Sequence, residues 1–357
     1  MNSILAQFPN TDQEGKRNLL WNGFLIILLM SLLSAALIRI LPFSEKPYWY
    51  VLFNTPSFLI EFLLFLQQRN KSLIAYGVVA SVLQLAVCVI PAAMGYPMDA
   101  IFQHLVLLAI AKFLLAIVLL LKNRPVAREL VAVLKQFQTA LPLMLSFLVS
   151  GSAEYIDGAI MKAKFNLEQF SVFRYGSREF PLFTILAATL STSFIPAVAA
   201  NKEAGLHEIR TKSLQYMHWF FPIAIMLTLI SRPAYSFFFS AKFEESGSIF
   251  AILLLLTAPR LLFPQSVLTA MGRNRVLLTA SVVEMLVNAA ASWILAKQLG
   301  MAGVAYGTVI AFITEKLILC GWLYWKERIA PSSYIPMPQL MLYSVALIVA
   351  LGLSNCI

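Results

Sequence analysis

The sequence predicts an all-α, polytopic membrane protein of about eleven transmembrane helices, built as two lobes related by a parallel repeat. Three observations carry that expectation. Hydrophobic residues make up 60% of the 357 and charged residues only 12%, where a soluble domain has about a quarter charged. Apolar runs of the roughly 20 residues that a bilayer span needs recur along the whole chain. A stretch that begins at Arg69, RNKSLIAYGVV, reappears at Arg273 as RNRVLLTASVV.

The elements follow in order. Residues 1–18 are polar and the first apolar run is long enough to span, so the start reads as a membrane helix and not as a cleaved leader. Spans are expected at 19–41, 47–66, 72–94 and 99–121, then at 140–160, 169–198, 213–231, 248–266, 276–296, 303–325 and 337–356. Assigning the loops alternately to the two sides puts fifteen Lys and Arg residues on one side, Lys16, Arg69, Lys122, Lys202 and Arg273 among them, and seven on the other. The positive-inside rule makes the richer side cytoplasmic, so the N-terminus lies inside and the C-terminus outside. Several spans carry a proline (Pro56, Pro91, Pro142, Pro181, Pro222, Pro259), which removes a backbone hydrogen bond and tends to kink the helix.

The repeat organises these spans. A shift of 204 (273 less 69) also lays Lys112 on Lys316, Lys122 on Lys326 and Arg124 on Arg328 without a gap. The copies are six spans apart, an even number, so they share orientation, as in two lobes related by an axis along the membrane normal. The expected division is an N-terminal lobe of four helices at 1–121, a cytoplasmic linker at 122–139, a six-helix lobe at 140–330 and an additional C-terminal helix at 331–357. On this pattern the first lobe lacks its first helix pair, through truncation or as a shortened relative.

Charges inside the spans nominate the site. Glu154, Asp157, Arg174, Arg178 and Glu179 fall in the helical hairpin 140–198. Ionisable groups at bilayer depth cost about 2.5–3.5 kcal/mol on insertion scales, so they pair or face a polar cavity. With the turn near Phe165 or Asn166, Asp157 stands level with Arg174 and Glu154 with Arg178. The two arginines are expected one turn apart on one helix face, with Lys162 and Lys164 keeping the outer vestibule positive. A second tier, Glu61, Lys112, Arg260, Glu284 and Lys316, lies at similar depth. Glu284 and Lys316 are equidistant from a turn at Gly300 and are expected to pair, whereas Lys112 must find Glu61, water or a ligand. The plainer reading is that all these charges only fasten helices together.

Other chemistries find no support. Cys88, Cys320 and Cys356 lack CxxC spacing, so neither a disulfide framework nor a zinc site is expected. His104, His207 and His218 fit no ligand spacing; no metal and no cofactor is expected. No phosphate loop, HEXXH or nucleophile elbow occurs, so the chain does not read as an enzyme. The net charge of +10 is scattered through short loops without an interleaved aromatic face, which argues against nucleic acid. The glycines of LGMAGVAYG, Gly300, Gly303 and Gly307, space small residues for a tight turn and close helix contact.

The run YIDGAIMKAKFNLEQFSVFRYGSREFPLFTILAATLSTSFIPAVAANKEAG, followed by LTAMGRNR and LGMAGVAYGTVIA, resembles the second lobe of bacterial polysaccharide flippases. That family belongs to the multidrug, oligosaccharidyl-lipid and polysaccharide exporter superfamily, with the lipid II flippase and the drug and toxin antiporters. The resemblance covers roughly residues 19–328. It implies two six-helix lobes around a cavity, and translocation of undecaprenyl-diphosphate-linked oligosaccharide across the bacterial cytoplasmic membrane for O-antigen, capsule or exopolysaccharide. Membrane lipids, a polysaccharide polymerase and glycosyltransferases are the implied partners. Basic residues of the cavity wall are matched by Arg174 and Arg178; Asp157, Glu154, Lys112, Lys316 and Arg260 complete the candidate lining. The alternatives are a cation-coupled multidrug or metabolite antiporter of the same fold and a truncated, non-transporting homologue.

Overall fold

The structure, a computed structural model, describes residues 2–40, 46–67, 69–122 and 130–354, without the side chains of Ile40, Lys46, Leu130 and Glu154. Most of the described residues are helical, and none lies in a strand. Residues 123–129 of the expected linker, with Arg124 and Arg128, and Cys356 lie outside them. Contacts divide the chain into two compact units, Ser3–Gln138 and Thr139–Ile357.

The N-terminal unit holds α1 (Asn2–Gln7), α2 (Gln13–Ile40), α3 (Lys46–Ser57), α4 (Leu59–Leu66), α5 (Asn70–Ala93) and α6 (Met98–Leu121), and the division falls within α7 (Leu130–Gly151). Here α3 packs against both α2 and α6, and α5 packs on α4 and α6. Phe113 of α6 is the shared wedge, its ring 6.3 Å from Phe24 of α2 and 5.5 Å from Phe53 of α3. In α5 only Pro91 is buried; a helix that is apolar all round suits a lipid environment.

The C-terminal unit holds α8 (Ala153–Lys164), α9 (Leu167–Gly176), α10 (Pro181–Ala200), α11 (Lys202–Phe238), α12 (Glu244–Leu253), α13 (Thr257–Arg260), α14 (Pro264–Ala270), α15 (Asn274–Lys326) and α16 (Met337–Ser354). The 37-residue α11 is its spine, packed by α10, α12 and α16. At 1.5 Å per residue α11 is about 55 Å long, well beyond a hydrocarbon core of about 30 Å.

Among the described residues nine helices are long and apolar enough to cross a membrane, or ten when the bent segment Ala241–Ala270 is counted as one. The 53-residue α15 is itself two limbs, because Gly300 adopts φ 60° and ψ −141°. Counting both limbs recovers the eleven expected spans. The limbs lie against each other: Ser292 Oγ donates to the carbonyl of Val304 at 3.1 Å. A multi-pass membrane protein is the architecture that these helices make.

Four of the spans are interrupted, and three of the interruptions lie beside prolines. Span 47–66 breaks at Phe58, two residues after Pro56; span 248–266 breaks just before Pro264. Span 169–198 breaks at 177–180, where Phe180 is held extended (ψ 111°) ahead of Pro181, as a residue before proline prefers. Span 140–160 breaks at Ser152. Pro91, Pro142 and Pro222 lie inside continuous helices, so a proline alone does not locate a break here.

The repeat is visible in local geometry. Arg69 and Arg273 both precede a span with nearly the same backbone, φ −85° and ψ 60° against φ −83° and ψ 42°. The Arg69 N–H donates to the Leu64 carbonyl at 3.0 Å and the Arg273 N–H to the Leu268 carbonyl at 2.8 Å, and both members of each bond differ by the same 204.

Candidate functional site

The hairpin of α8 and α9 turns where the sequence places it. Asn166 caps α9, its side chain accepting from the Gln169 N–H at 2.8 Å while Gln169 Oε1 accepts from the Asn166 N–H at 3.2 Å. That reciprocal pair satisfies two N–H groups that the helix start leaves open. The tip fixes how far Asp157 and Arg174 stand from the turn.

Both side chains line a cavity of about 840 Å³ within the C-terminal unit. Arg178, Glu179 and Arg260 line it too, with an aromatic wall that includes Phe147, Phe173, Tyr235 and Phe312. Asp157 is buried, and its Oδ2 accepts from Thr308 Oγ1 at 2.8 Å, fastening α8 to the second limb of α15. Arg178 is exposed to the cavity and makes no hydrogen bond or ion pair with any described residue. The side chain of Glu154 lies outside the described residues, so its expected partnership with Arg178 does too.

The expectation that the two arginines share one helix face needs correction. Arg174 sits in the last turn of α9, whereas Arg178 lies in the break before α10. Pro181 removes a donor and forces the preceding residue out of the helix, so the arginines reach one cavity from a helix and from a loop. Lys162 and Lys164 are not in its wall. Lys164 instead stands 4.0 Å from the ring centre of Trp293, a cation held on an aromatic face.

A second compartment of about 300 Å³ shares Phe147, Ser150, Thr184, Arg260 and Phe312 with the first. Arg260 marks the junction: it pairs with Glu179, and its guanidinium lies 4.9 Å from the ring centre of Phe312. Glu179 was legible as an intramembrane acid, but its partner comes from a helix about 80 residues on, which no spacing rule reaches. Lys316 and Glu315 lie in the second compartment and pair with each other at 2.8 Å; Lys316 also donates to Gln265 Oε1 at 3.3 Å. The expected pair of Glu284 with Lys316 therefore does not form. Glu315 is the sequence neighbour of the lysine and reaches it first, while Glu284 accepts from Ser150 Oγ at 3.0 Å. Across the described lining of both compartments the acids Asp157, Glu179, Glu284 and Glu315 stand against Arg174, Arg178, Arg260 and Lys316, four charges of each sign.

Lys112 belongs to α6 in the N-terminal unit, where Glu61 is its electrostatic neighbour, one of the partners its sequence position allows. The repeat maps Glu61 onto Gln265, so Lys112 with Glu61 matches Lys316 with Gln265. Among the described residues no cluster of His, Cys, Asp and Glu is arranged to hold a metal ion.

Known proteins fit this architecture. No curated protein matches the chain. Solved structures that share the fold include the lipid II flippase MurJ in an inward closed conformation (TM-score 0.58, 16% identity, covering 99% of this chain and 82% of that one). A mutant of the Vibrio cholerae MATE transporter VcmN aligns with TM-score 0.70 at 16% identity over 92% of this chain and 83% of that one. An outward-facing multidrug resistance MATE family transporter of the MOP superfamily aligns with TM-score 0.67 at 15% identity over 97% and 82%. At such identities these likenesses speak for the fold alone. The family described as polysaccharide biosynthesis protein matches residues 49–248, more than half of the sequence and both sides of the hairpin that carries Asp157 and Arg174; the chain belongs to that family.

Proposed function

We propose that the protein is a flippase that carries undecaprenyl-diphosphate-linked oligosaccharide from the cytoplasmic to the outer leaflet of a bacterial cytoplasmic membrane, for O-antigen, capsule or exopolysaccharide assembly. The observation that carries this reading is Arg178: a guanidinium in the wall of an 840 Å³ cavity, uncommitted among the described residues, with Arg174 and Arg260 in the same wall. A diphosphate crossing a low-dielectric barrier needs counter-charge, and arginine supplies a fixed positive charge with fork-shaped, bidentate donors. The first compartment holds Arg174, Arg178 and Arg260 against Asp157 and Glu179, a net of one positive charge among its described lining. Its volume lies within the roughly 300–1,000 Å³ of ligand sites, enough for a diphosphate and its first sugars, with the polyprenyl tail in the bilayer. The aromatic wall offers faces for sugar rings. The N-terminus inside and the C-terminus outside, and a polymerase and glycosyltransferases as working partners, belong to the same reading.

A cation-coupled antiporter of this fold is the second reading, favoured by Glu284, a buried acid without an ion pair among the described residues. Complementation separates the two. In a strain lacking its own flippase, the wild-type chain should restore surface polysaccharide, Arg178→Ala should abolish it and Arg178→Lys should restore it partly, at equal membrane levels. Full polysaccharide with Arg178→Ala at normal levels overturns the reading. Drug resistance without polysaccharide establishes the antiporter instead.

A further inference from the structure

Glu284 is the acid that the site leaves unexplained. It is 2% exposed in the first limb of α15, and among the described residues no lysine or arginine nitrogen forms an ion pair with its carboxylate. The charged groups whose fields reach it are Glu315 and Lys316 of the second limb and Arg260 of α13. Each basic group among these is committed elsewhere, Lys316 to Glu315 and Arg260 to Glu179. The other helices that meet it in the compartment, α7, α10 and α14, bring Ser146, Ser150, Ser191 and Gln265 and no charge. What does touch Glu284 is a row of hydroxyls. Ser146 Oγ and Ser281 Oγ are 2.7 Å apart, Ser281 Oγ and Ser150 Oγ 3.1 Å, and Ser150 Oγ and Glu284 Oε2 3.0 Å.

A hydroxyl carries one proton and two lone pairs. The row can therefore point its O–H bonds toward a carboxylate, or reverse and accept from a carboxylic acid, and each hydroxyl keeps at least one hydrogen bond in either direction. A carboxylate buried without a counter-ion is expensive, and a proton is the smallest charge that removes the cost. The charge balance gives that proton a consequence. With Glu284 ionised the described acids and bases of the two compartments cancel, four against four; with Glu284 protonated the described lining carries one net positive charge.

We propose that Glu284 is a proton-binding site whose occupancy sets the charge of the cavity, so that a proton and an anionic headgroup bind together and leave together. The linkage rests on the reading above that the cargo is anionic; the proton site itself does not. Atoms balance simply: one proton from bulk water joins a Glu284 oxygen, and the same proton returns to water when the headgroup departs. Coupling of this sign is reciprocal, the anion favouring the proton as much as the proton favours the anion. A cationic cargo would instead compete with the proton.

The test uses the full chain in lipid nanodiscs. Infrared difference spectra, recorded without ligand while the pH is lowered, should develop a protonated-carboxyl band in the wild type that is absent from Glu284→Gln. Ser150→Ala, which cuts the hydroxyl row, should move the midpoint of that band. A wild-type spectrum without the band, the same band in Glu284→Gln, or a signal that follows sodium and not pH overturns the proton site. Binding of undecaprenyl diphosphate then reads the linkage. The wild type should bind about tenfold more tightly near pH 6 than near pH 8, inside the limit of about tenfold per pH unit that one linked proton sets, and Glu284→Gln should lack that preference for the lower pH. Equal wild-type affinities at both pH values overturn the linkage. Failure to bind at either pH overturns the anionic cargo and the linkage with it, while the infrared band decides the proton site independently.

Discussion

Gly307 lets the two limbs of α15 touch, and Gly307→Ala measures what that contact is worth. A Cβ at this position would sit 2.1 Å from Ser292 Oγ, 2.5 Å from Ser292 N and 2.6 Å from Ser292 Cα. Ordinary contact begins near 3.4 Å, so the limbs would have to part by about 0.9 Å, taking 3.4 less 2.5. Overpacking of this kind costs about 1–3 kcal/mol. Separation also strains the hydroxyl of Ser292, which donates to Asn288 Oδ1 at 2.9 Å and the Val304 carbonyl at 3.1 Å, a bond worth about 1 kcal/mol. The expected loss is therefore about 2–4 kcal/mol, read as unfolding free energy in detergent micelles. Because two of the three contacts are to backbone atoms, adding Ser292→Ala to Gly307→Ala should not restore stability. Gly352→Ala is the control: its Cβ meets nothing within 4 Å, and Ala for Gly inside a helix is worth up to about 1 kcal/mol in its favour. A Gly307→Ala protein as stable as Gly352→Ala would refute the close approach. The consequence reaches function, since these limbs carry Glu284, Thr308, Glu315 and Lys316.

Three further outcomes are expected. Asn166→Ala should destabilise the tip of α8 and α9 by about 1 kcal/mol while Asn166→Asp is tolerated, as helix caps behave; equal unfolding of the two variants would show that the cap is idle. Arg260→Ala should leave Glu179 uncompensated and lower folded yield, and adding Glu179→Ala should recover part of it; strictly additive losses in a double-mutant cycle would separate the pair. Cysteines placed at Arg69 and Arg273 should both react with a membrane-impermeant thiol reagent only from the cytoplasmic side, and labelling from opposite sides would break the parallel repeat.

How legible the molecule was depends on the length scale of each signal. Hydropathy gave the number and order of the spans, because burial in lipid acts on about 20 residues at once; it did not set their ends, since α11 runs over Lys202–Phe238 where 213–231 is expected. The hairpin tip was legible because its cap is local: Asn166 and Gln169 are three residues apart. The break before Pro181 was half-legible. The proline marked a kink, but the step from a kink to a four-residue gap depends on Phe180 and Ser177, and that gap moved Arg178 off the helix of Arg174. The partner of Lys316 differs from the expected one for a related reason. Equidistance from Gly300 sets depth along the limbs but says nothing about rotation around them, and Glu315 at the next position needs no rotation at all. The partners of Glu179 and Glu284 lie about 80 and 134 residues away, at Arg260 and Ser150, where only packing decides.

The repeat bears on why the chemistry gathers in one unit. Laid over each other by 204 residues, the two copies keep a lysine at mid-span and a polar partner across from it, Glu61 for Lys112 and Gln265 for Lys316. The N-terminal copy has one acid near its lysine, and Ala80 and Ala111 where the C-terminal copy has Glu284 and Glu315. Replacing Glu61 by Gln265 takes one negative charge from the second position, and the two added glutamates return two. Glu315 takes up the lysine that Gln265 cannot neutralise, and Glu284 is the charge left over. A helix pair selected only for fastening would gain nothing from that surplus, because an unpaired acid at this depth costs several kcal/mol. An acid without a counter-ion, set beside a three-hydroxyl row and an arginine-lined cavity, is what the proposed proton site needs, and the N-terminal copy has alanine at the matching position.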